Sequence, residues 1–200
     1  MMKLQYSSMR SQRGSLMIEV LIAIAIAVIG VWALMEMQAK LHKSEMEAYQ
    51  RTQAVMLLND MASRIATNRI NAGSYVTADA TADYLGAGMV CPALSSPASV
   101  KEIDYREWCL ALQGAGETQS GASVGAMVGA RGCVEDIGSG QFMVTIVWQG
   151  MTPISVPPAS VACGKASPNP YDGGAMNPLT QCTGDLCRRF ATTIVGVAAL

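Results

Sequence analysis

A nearly unbroken apolar run occupies residues 16–35, and the only charged residue inside it is Glu19. As an α-helix, a run of this length reaches about 30 Å, which matches the hydrocarbon core of a bilayer. A carboxylate in such a segment costs about 2.5 to 3.5 kcal/mol at the helix centre and less near an end, so it is seldom present without a role. The pattern therefore predicts one membrane-spanning helix and draws attention to Glu19.

The helical pattern continues beyond the membrane run. Residues 15–71 contain no proline and one glycine, Gly30, and the part after Met35 is rich in strong helix formers. Apolar side chains recur there at spacings of three and four residues, in a first group of Leu34, Met37 and Leu41 and a second group of Ala54, Leu57, Leu58, Met61 and Ile65. We expect the second group to pack against the C-terminal part of the chain, and the first group to contact neighbouring helices.

After Gly73 the pattern changes to short segments separated by glycine, proline, serine and asparagine. Alternating apolar positions and β-branched runs predict strands, and the stretches rich in small residues and proline predict loops. The predicted elements are strands at Gln141–Gln149, Arg188–Val197 and Trp108–Leu112, and loops at residues 114–132 and 153–178. The sequence therefore predicts an α+β fold, in which a long N-terminal helix packs on a small antiparallel sheet with disulfides.

Charge is distributed unevenly along the chain. Residues 1–14 carry Lys3, Arg10 and Arg13 and no acid, while the formal net charge of the whole chain is −1. Under the positive-inside rule, the short basic arm stays in the cytoplasm and the residues after Met35 lie on the other side of the membrane. The 14 basic residues form no patch in sequence, so no nucleic-acid partner is expected.

All six cysteines lie beyond the membrane run, in the segment that this topology places in an oxidising compartment, and they are Cys91, Cys109, Cys133, Cys163, Cys182 and Cys187. An even number of cysteines in such a segment indicates disulfides. Zinc is disfavoured because no C-x-x-C pair occurs and the single histidine, His42, lies in the helical segment. The sequence leaves the pairing open, and closeness along the chain favours Cys91 with Cys109, Cys133 with Cys163 and Cys182 with Cys187.

No combination of residues predicts catalysis. His42 is expected on a solvated helix, and Gly164-Lys165 fails the phosphate-loop pattern, which needs Ser or Thr directly after the lysine. The N-terminal apolar run is longer than the roughly 7 to 15 residues of a cleavable secretory signal, and no small-x-small site follows it. We therefore expect a protein that is not an enzyme, that uses no cofactor or metal ion, and that keeps its membrane helix.

The residues from Arg13 to Glu19 resemble the class III signal of type IV prepilins, in which a basic leader ends in glycine before an apolar helix with an early glutamate. The resemblance implies that a prepilin peptidase cuts between Gly14 and Ser15 on the cytoplasmic side, and that the new amine of Ser15 is methylated. Residues 1–14 are then a cleaved leader. Glu19 becomes the fifth residue of the mature chain, where it would assist assembly by pairing with an N-terminal amine, its own or a neighbour's.

The outer helix resembles that of PilV-like minor pilins of the type IV pilus. The matching positions are Gln38, Ala48-Tyr49, Arg51, Gln53-Ala54, Asp60-Met61, Arg64-Ile65 and Asn68, followed later by Trp148-Gln149-Gly150 and Arg188-Arg189. The resemblance implies a pilin-like fold, with a helix over residues 15–71 that spans the inner membrane at about 16–35 and a periplasmic, β-rich head over residues 72–200. It implies as partners the other minor pilins, the major pilin and the inner-membrane assembly platform. The chain would then prime pilus assembly, enter the pilus or its tip, and support twitching motility and adhesion.

Two alternative functions remain open. A type II secretion pseudopilin uses the same signal and the same helix. A signal-anchored periplasmic binding protein needs neither Gly14 nor Glu19. A mature chain that begins at Ser15 favours the pilin or pseudopilin class, and one that begins at Met1 or Met2 favours the anchored binding protein.

Overall fold

The computed structural model describes residues 15–116, 118–120, 122–123, 127–165, 169–171 and 182–198. The expected leader, residues 1–14, lies outside this part of the chain. By its internal contacts the chain divides into two compact units, Met1–Glu45 and Met46–Leu200.

One helix, α1, runs without a break from Ser15 to Thr67, over 53 residues. The strong helix formers and the absence of proline account for its length. In the first unit, every described residue belongs to this helix, and every side chain from Met17 to Glu45 is exposed. Among the described residues, α1 is the one helix that is long and apolar enough to cross a membrane.

The helix ends at Thr67, before the predicted end at Asn71, and a 3-10 turn from Arg69 to Tyr75 follows. Asn68 lies between them with φ −98° and ψ 43°, outside the helical range, while its backbone N–H still donates to the Arg64 carbonyl. The backbone therefore leaves the helix conformation at Asn68.

The second unit contains a four-stranded antiparallel sheet in the order β1-β4-β5-β6, and a separate antiparallel pair, β2-β3. The strands are β1 (Leu85–Gly86), β2 (Thr118–Gln119), β3 (Ala122–Ser123), β4 (Arg131–Gly138), β5 (Gln141–Gln149) and β6 (Arg188–Gly196). The two strongest strand predictions correspond to β5 and β6. The predicted α+β fold, with a long N-terminal helix, a small antiparallel sheet and disulfides, is confirmed.

A tight hairpin joins β4 to β5 through Ser139 and Gly140. Both residues have positive φ, 55° and 68°, which is the backbone twist that a two-residue hairpin turn needs. The register shifts between Asp136 and Gly138, and the Gly138 N–H donates to the Asp136 carboxylate at 2.8 Å. The turn and the bulge together fix which side chains of β5 face the core, beginning with Phe142.

Residues Val100–Leu112 form a second helix, α2, so the strand predicted at Trp108–Leu112 is wrong. A capping box begins the helix, because the Ser99 hydroxyl accepts from the Glu102 N–H and the Glu102 carboxylate accepts from the Ser99 N–H. The buried apolar positions then recur with helical spacing, at Tyr105, Trp108, Cys109 and Leu112. The predicted strand covered only the last part of this pattern and missed its start.

The main core lies between the second half of α1, α2 and one face of the sheet. The buried apolar side chains of α1 are Ala54, Leu58, Met61 and Ile65, none more than 3% exposed. The Trp108 indole N–H donates to the Leu57 carbonyl at 3.0 Å and so joins α2 to α1. The prediction that the second apolar group of the helix packs on the C-terminal part of the chain is confirmed.

A smaller apolar cluster covers part of the opposite face of the sheet. Its buried members are Cys133, Val147, Val161, Cys163 and Tyr171. Cys133 and Val147 point away from the main core because side chains alternate between faces along a strand. The Cys133–Cys163 disulfide fastens the segment after β5 to β4 on this side.

Candidate functional site

The N-terminal part of α1 contains the residues that the sequence singled out. Gly14 lies outside the described residues, and Ser15 is the first residue of α1. Glu19 follows four positions later, which in an α-helix is about one turn, or 6 Å along the axis. Ser15 and Glu19 therefore share a helix face.

The membrane-length part of α1 has no protein cover in the first unit. Its large apolar side chains between Met17 and Met35 are each exposed, from 52% at Val31 to 74% at Met17. A helix that is apolar on all sides is stable only when lipid or other helices surround it. The surface of this segment therefore requires an environment that the described residues of the first unit do not provide.

The apolar stripe of α1 divides into two groups with different surroundings. Leu34, Met37 and Leu41, the first group, are 60%, 59% and 52% exposed. In the second group, Ala54, Leu58, Met61 and Ile65 are buried in the main core, and Leu57 is partly buried against it. The same helix therefore supports the head with one end and presents an uncovered apolar surface with the other.

Glu47 joins α1 to the segment after β5 and to the beginning of β6. Its Oε1 atom accepts hydrogen bonds from the backbone N–H groups of Met151 and Thr152, at 3.0 and 3.2 Å, and from the Thr152 hydroxyl at 3.0 Å. The Arg189 guanidinium lies 3.2 Å away and also donates to the Thr152 carbonyl at 2.6 Å. Partial burial favours the protonated form of Glu47, but these hydrogen bonds and the Arg189 charge outweigh it, so the pKa of Glu47 lies below its usual value.

Arg64 forms a second charged cluster, between α1 and α2. Its guanidinium lies 3.0 Å from the Asp60 carboxylate, 2.8 Å from Asp104 and 2.7 Å from Glu107. Burial opposes the charge of Arg64, but the three acids outweigh that effect and raise its pKa. Through Asp104 and Glu107, this cluster joins α2 to α1.

Tyr75 connects the same cluster to the 3-10 turn after α1. Its hydroxyl donates to the buried Asp104 carboxylate and accepts from the Asn68 side-chain amide. Burial, reinforced by the Asp104 contact, raises the pKa of Tyr75 to about 12. The Tyr105 hydroxyl donates to the Tyr75 carbonyl, and the two rings meet edge to face. These contacts hold the chain as it turns away from the helix.

Arg188 and Arg131 fasten the segment around Cys163 to the sheet. An Arg188 Nη atom donates to the Cys163 carbonyl at 2.6 Å, and an Arg131 Nη atom donates to the Gly164 carbonyl at 2.6 Å. Arg131 also lies over the Tyr84 ring, 3.9 Å from its centroid. Burial lowers the pKa of Arg188. The paired arginines at the start of β6 therefore have separate structural roles, Arg188 on one face of the sheet and Arg189 on the other.

The six cysteines form three disulfides: Cys91–Cys109, Cys133–Cys163 and Cys182–Cys187. These are the pairs that closeness along the chain favoured. The first attaches the loop before α2 to α2, the second attaches the segment after β5 to β4, and the third closes the turn before β6. Each therefore fixes a connection between regular elements.

The described residues hold no group of three or more His, Cys, Asp or Glu side chains that could bind a metal ion. His42 is exposed on α1 and contacts only Glu45 among its charged neighbours in that part of the chain, at 3.3 Å. Comparison with protein-family models, with curated proteins and with solved structures gives no match.

Closeness along the chain favoured the three cysteine pairs that the structure contains, but sequence reasoning missed the charged pairs that hold the second unit together. The role of Glu19 stays a prediction. Glu47 and Arg189 are 142 positions apart, and Arg64 and Asp104 are 40 apart. No pattern of neighbouring residues in the sequence indicates either pair. The late Arg188-Arg189 sequence was the one signal that pointed to this region of the head.

Proposed function

We propose that this chain is a minor pilin of the type IV pilus, which assembles with other minor pilins to prime pilus assembly and enters the pilus or its tip. The main support for this proposal is the difference between the two ends of α1. One end of the helix is apolar and uncovered, and the other end is buried in a compact head with three disulfides. A subunit that must leave lipid and pack among neighbouring helices needs both properties.

Glu19 gives the assembly step a physical basis. After cleavage between Gly14 and Ser15, the new amine and the Glu19 carboxylate lie one helical turn apart, near the positive end of the helix dipole. A carboxylate paired with an amine, its own or a neighbour's, loses less free energy on leaving water than an unpaired one. Pairing between chains would align an incoming helix with those already assembled.

The head supports a periplasmic location. Its cysteines are all paired among themselves in the described residues, which fits an oxidising compartment, and the basic arm before α1 fits a cytoplasmic start. In this proposal the chain is a single-pass inner-membrane protein until it enters the pilus. It acts as a structural and assembly component, without catalysis.

Replacing Glu19 tests the proposal directly. With Glu19→Ala as the sole copy, we expect normal membrane insertion but greatly reduced incorporation into sheared pili, because the amine loses its partner. Glu36→Ala is the matched control, since Glu36 is an exposed acid further along the same helix. Normal incorporation of Glu19→Ala would refute the proposed role of Glu19.

The mass of the mature N-terminus tests the processing step. We expect a chain that begins at Ser15 and carries a methyl group on its amine. A chain that retains Met1 or Met2 in cells with an active prepilin peptidase would favour the signal-anchored binding protein.

Deletion of the gene separates the pilus from type II secretion. The minor pilin predicts loss or reduction of twitching motility with normal exoprotein secretion. The reverse result would assign the chain to the secretion system as a pseudopilin.

A further inference from the structure

One long edge of the sheet has no partner strand among the described residues. β6 is the last strand in the order, and it pairs only with β5. The Val197 N–H donates to Gly140, and the Gly150 N–H donates to Cys187, so odd-numbered residues along β6 face β5. In an antiparallel ladder the alternate residues then direct N–H and C=O outward. We call these outward groups the β6 edge, formed by Arg188, Phe190, Thr192, Ile194 and Gly196.

The segment from Ile154 to Pro158 lies beside the first residues of the β6 edge, but beyond Phe190 the edge lacks the features that normally protect an exposed strand. It is nine residues long and contains no proline or lysine. Its outward residues Phe190, Thr192 and Ile194 are exposed, and no backbone group in the described part of the chain bonds to them on that side. Edges of this kind pair readily with an extended segment of another chain. The other edge of the sheet, β1, is only two residues long.

A groove of about 530 Å³ at the beginning of β6 carries unbalanced positive charge. The segment from Ile154 to Pro158 forms one wall, and Arg51 of α1 lines the groove together with Arg189 and Phe190. Arg189 is neutralised by Glu47, but Arg51 is exposed and has no carboxylate within 4 Å in the described residues. The groove therefore favours an acidic side chain on the segment that it receives.

The direction of α1 along β6 argues against a second copy as the partner. Glu47 contacts Arg189 at the start of β6, and Ala72, just after the helix, lines a groove with Val197 beyond its end. α1 therefore runs in the same direction as β6. Antiparallel pairing of two β6 edges about a two-fold axis would place the two Met46 residues, where the second unit of each chain begins, at opposite ends of the joined sheet. A two-fold pair of this chain would therefore begin its two second units at opposite ends of the joined sheet, which favours a different chain as the partner.

We infer that the β6 edge binds an extended segment of another membrane-anchored subunit, which joins the sheet as an additional strand and places a carboxylate beside Arg51. The inference rests on the proposed function for the membrane anchorage of both chains. Main-chain hydrogen bonds to the edge supply affinity, and Phe190, Ile194 and Arg51 select the side chains of the segment.

Photo-crosslinking in intact cells tests this contact with the full-length protein. We place p-benzoylphenylalanine at Thr192 or Ile194, and at Ile137 as the control, because Ile137 is also exposed but lies on β4, about 10 Å from the edge. We expect adducts from Thr192 and Ile194 but not from Ile137, with a different chain, at a segment that carries Asp or Glu. In the protein that carries p-benzoylphenylalanine in place of Ile194, the further change Arg51→Glu should lower the adduct yield roughly fivefold or more. Arg51→Lys in the same protein should leave the yield nearly unchanged.

Several results would overturn the inference: no adduct, equal adducts at Ile137, an adduct with the mass of two copies, or a yield insensitive to Arg51→Glu. The Glu19→Ala experiment reports on a different part of the molecule. If Glu19→Ala blocks incorporation and the edge gives no adduct, the edge inference fails alone. If the specific adduct forms and Glu19→Ala has no effect, the proposed role of Glu19 fails and the edge contact stands.

Discussion

Trp108 of α2 lies directly against Gly132 of β4. A Cβ atom on Gly132 would overlap the six-membered ring of Trp108 and approach its Cζ3 atom to 2.7 Å. Trp108 is fully buried, and its indole N–H is bonded to the Leu57 carbonyl. The absence of a side chain at Gly132 therefore allows α2 to pack on the sheet and on α1 at the same time.

Gly132→Ala is expected to destabilise the head by about 2 kcal/mol, because the added methyl group forces Trp108 or the strand to move. The measurement is the thermal unfolding midpoint of the full-length protein, followed by near-UV circular dichroism. Gly196→Ala is the matched control, since Gly196 is also a strand glycine and has no atom within 4 Å of the added Cβ. Equal midpoints for the two variants would contradict the packing described here.

Local patterns predicted the elements whose signals are continuous in sequence. β5 alternates regularly and β6 is β-branched, and α1 contains no residue that breaks a helix. The sequence pattern did not predict α2, because its last residues, Trp108–Leu112, have by themselves the apolar composition of a short strand. β4 was missed because it begins in a glycine-rich stretch and contains Glu135 and Asp136, and its pairing with β5 is what stabilises it as a strand.

The candidate site was predicted only where its residues are close in sequence. Each disulfide joins cysteines that follow one another along the chain, and the resemblance that draws attention to Glu19 is also local in sequence. The Glu47 and Arg64 contacts join residues far apart in sequence, so they follow from the fold and not from any local pattern. The exposure of the β6 edge likewise depends on the order of the strands in the sheet, and the hydrophobic pattern of a single strand does not reveal that order.

The contacts of Glu47 predict a pH-dependent contribution to stability. The pKa of Glu47 is lowered in the folded head from its usual value of 4.5. Its contribution is therefore fully present above pH 4.5 and is lost as the pH falls through the lower, folded pKa. Glu47→Gln should cost about 1 to 3 kcal/mol at pH 7, and the difference from the wild-type protein should shrink below pH 4.5.

Urea unfolding of the full-length protein at several pH values measures this effect. Glu36→Gln is the control, because Glu36 is exposed on the same helix and no hydrogen bond or ion pair to it is found in the described residues. A difference between Glu47→Gln and wild type that stays constant from pH 7 to pH 3 would show that the Glu47 charge does not contribute.

Arg64 is expected to be essential for the cluster between α1 and α2. Arg64→Leu leaves the Asp104 carboxylate, 12% exposed, without its cation, and should cost about 3 kcal/mol. The double variant Arg64→Leu/Asp104→Leu should recover part of this loss, because no unpaired buried charge remains. Arg69→Leu, at an exposed arginine two positions after α1, should change the urea midpoint little. A double variant whose loss of stability equals or exceeds the sum of the two single losses would exclude a direct pairing effect.

The two groups of the α1 stripe should respond differently to the same substitution. Leu58 is 3% exposed in the core, so Leu58→Ala should destabilise the head by about 2 to 5 kcal/mol through lost contacts and a residual cavity. Leu41 is 52% exposed, so Leu41→Ala should leave the unfolding midpoint of the head unchanged. If neighbouring helices cover Leu41 in the assembled pilus, Leu41→Ala should instead lower the amount of this subunit in sheared pili. A fall in the midpoint with Leu41→Ala would mean that the chain itself covers this residue, and normal incorporation would remove the first apolar group from the proposed assembly surface.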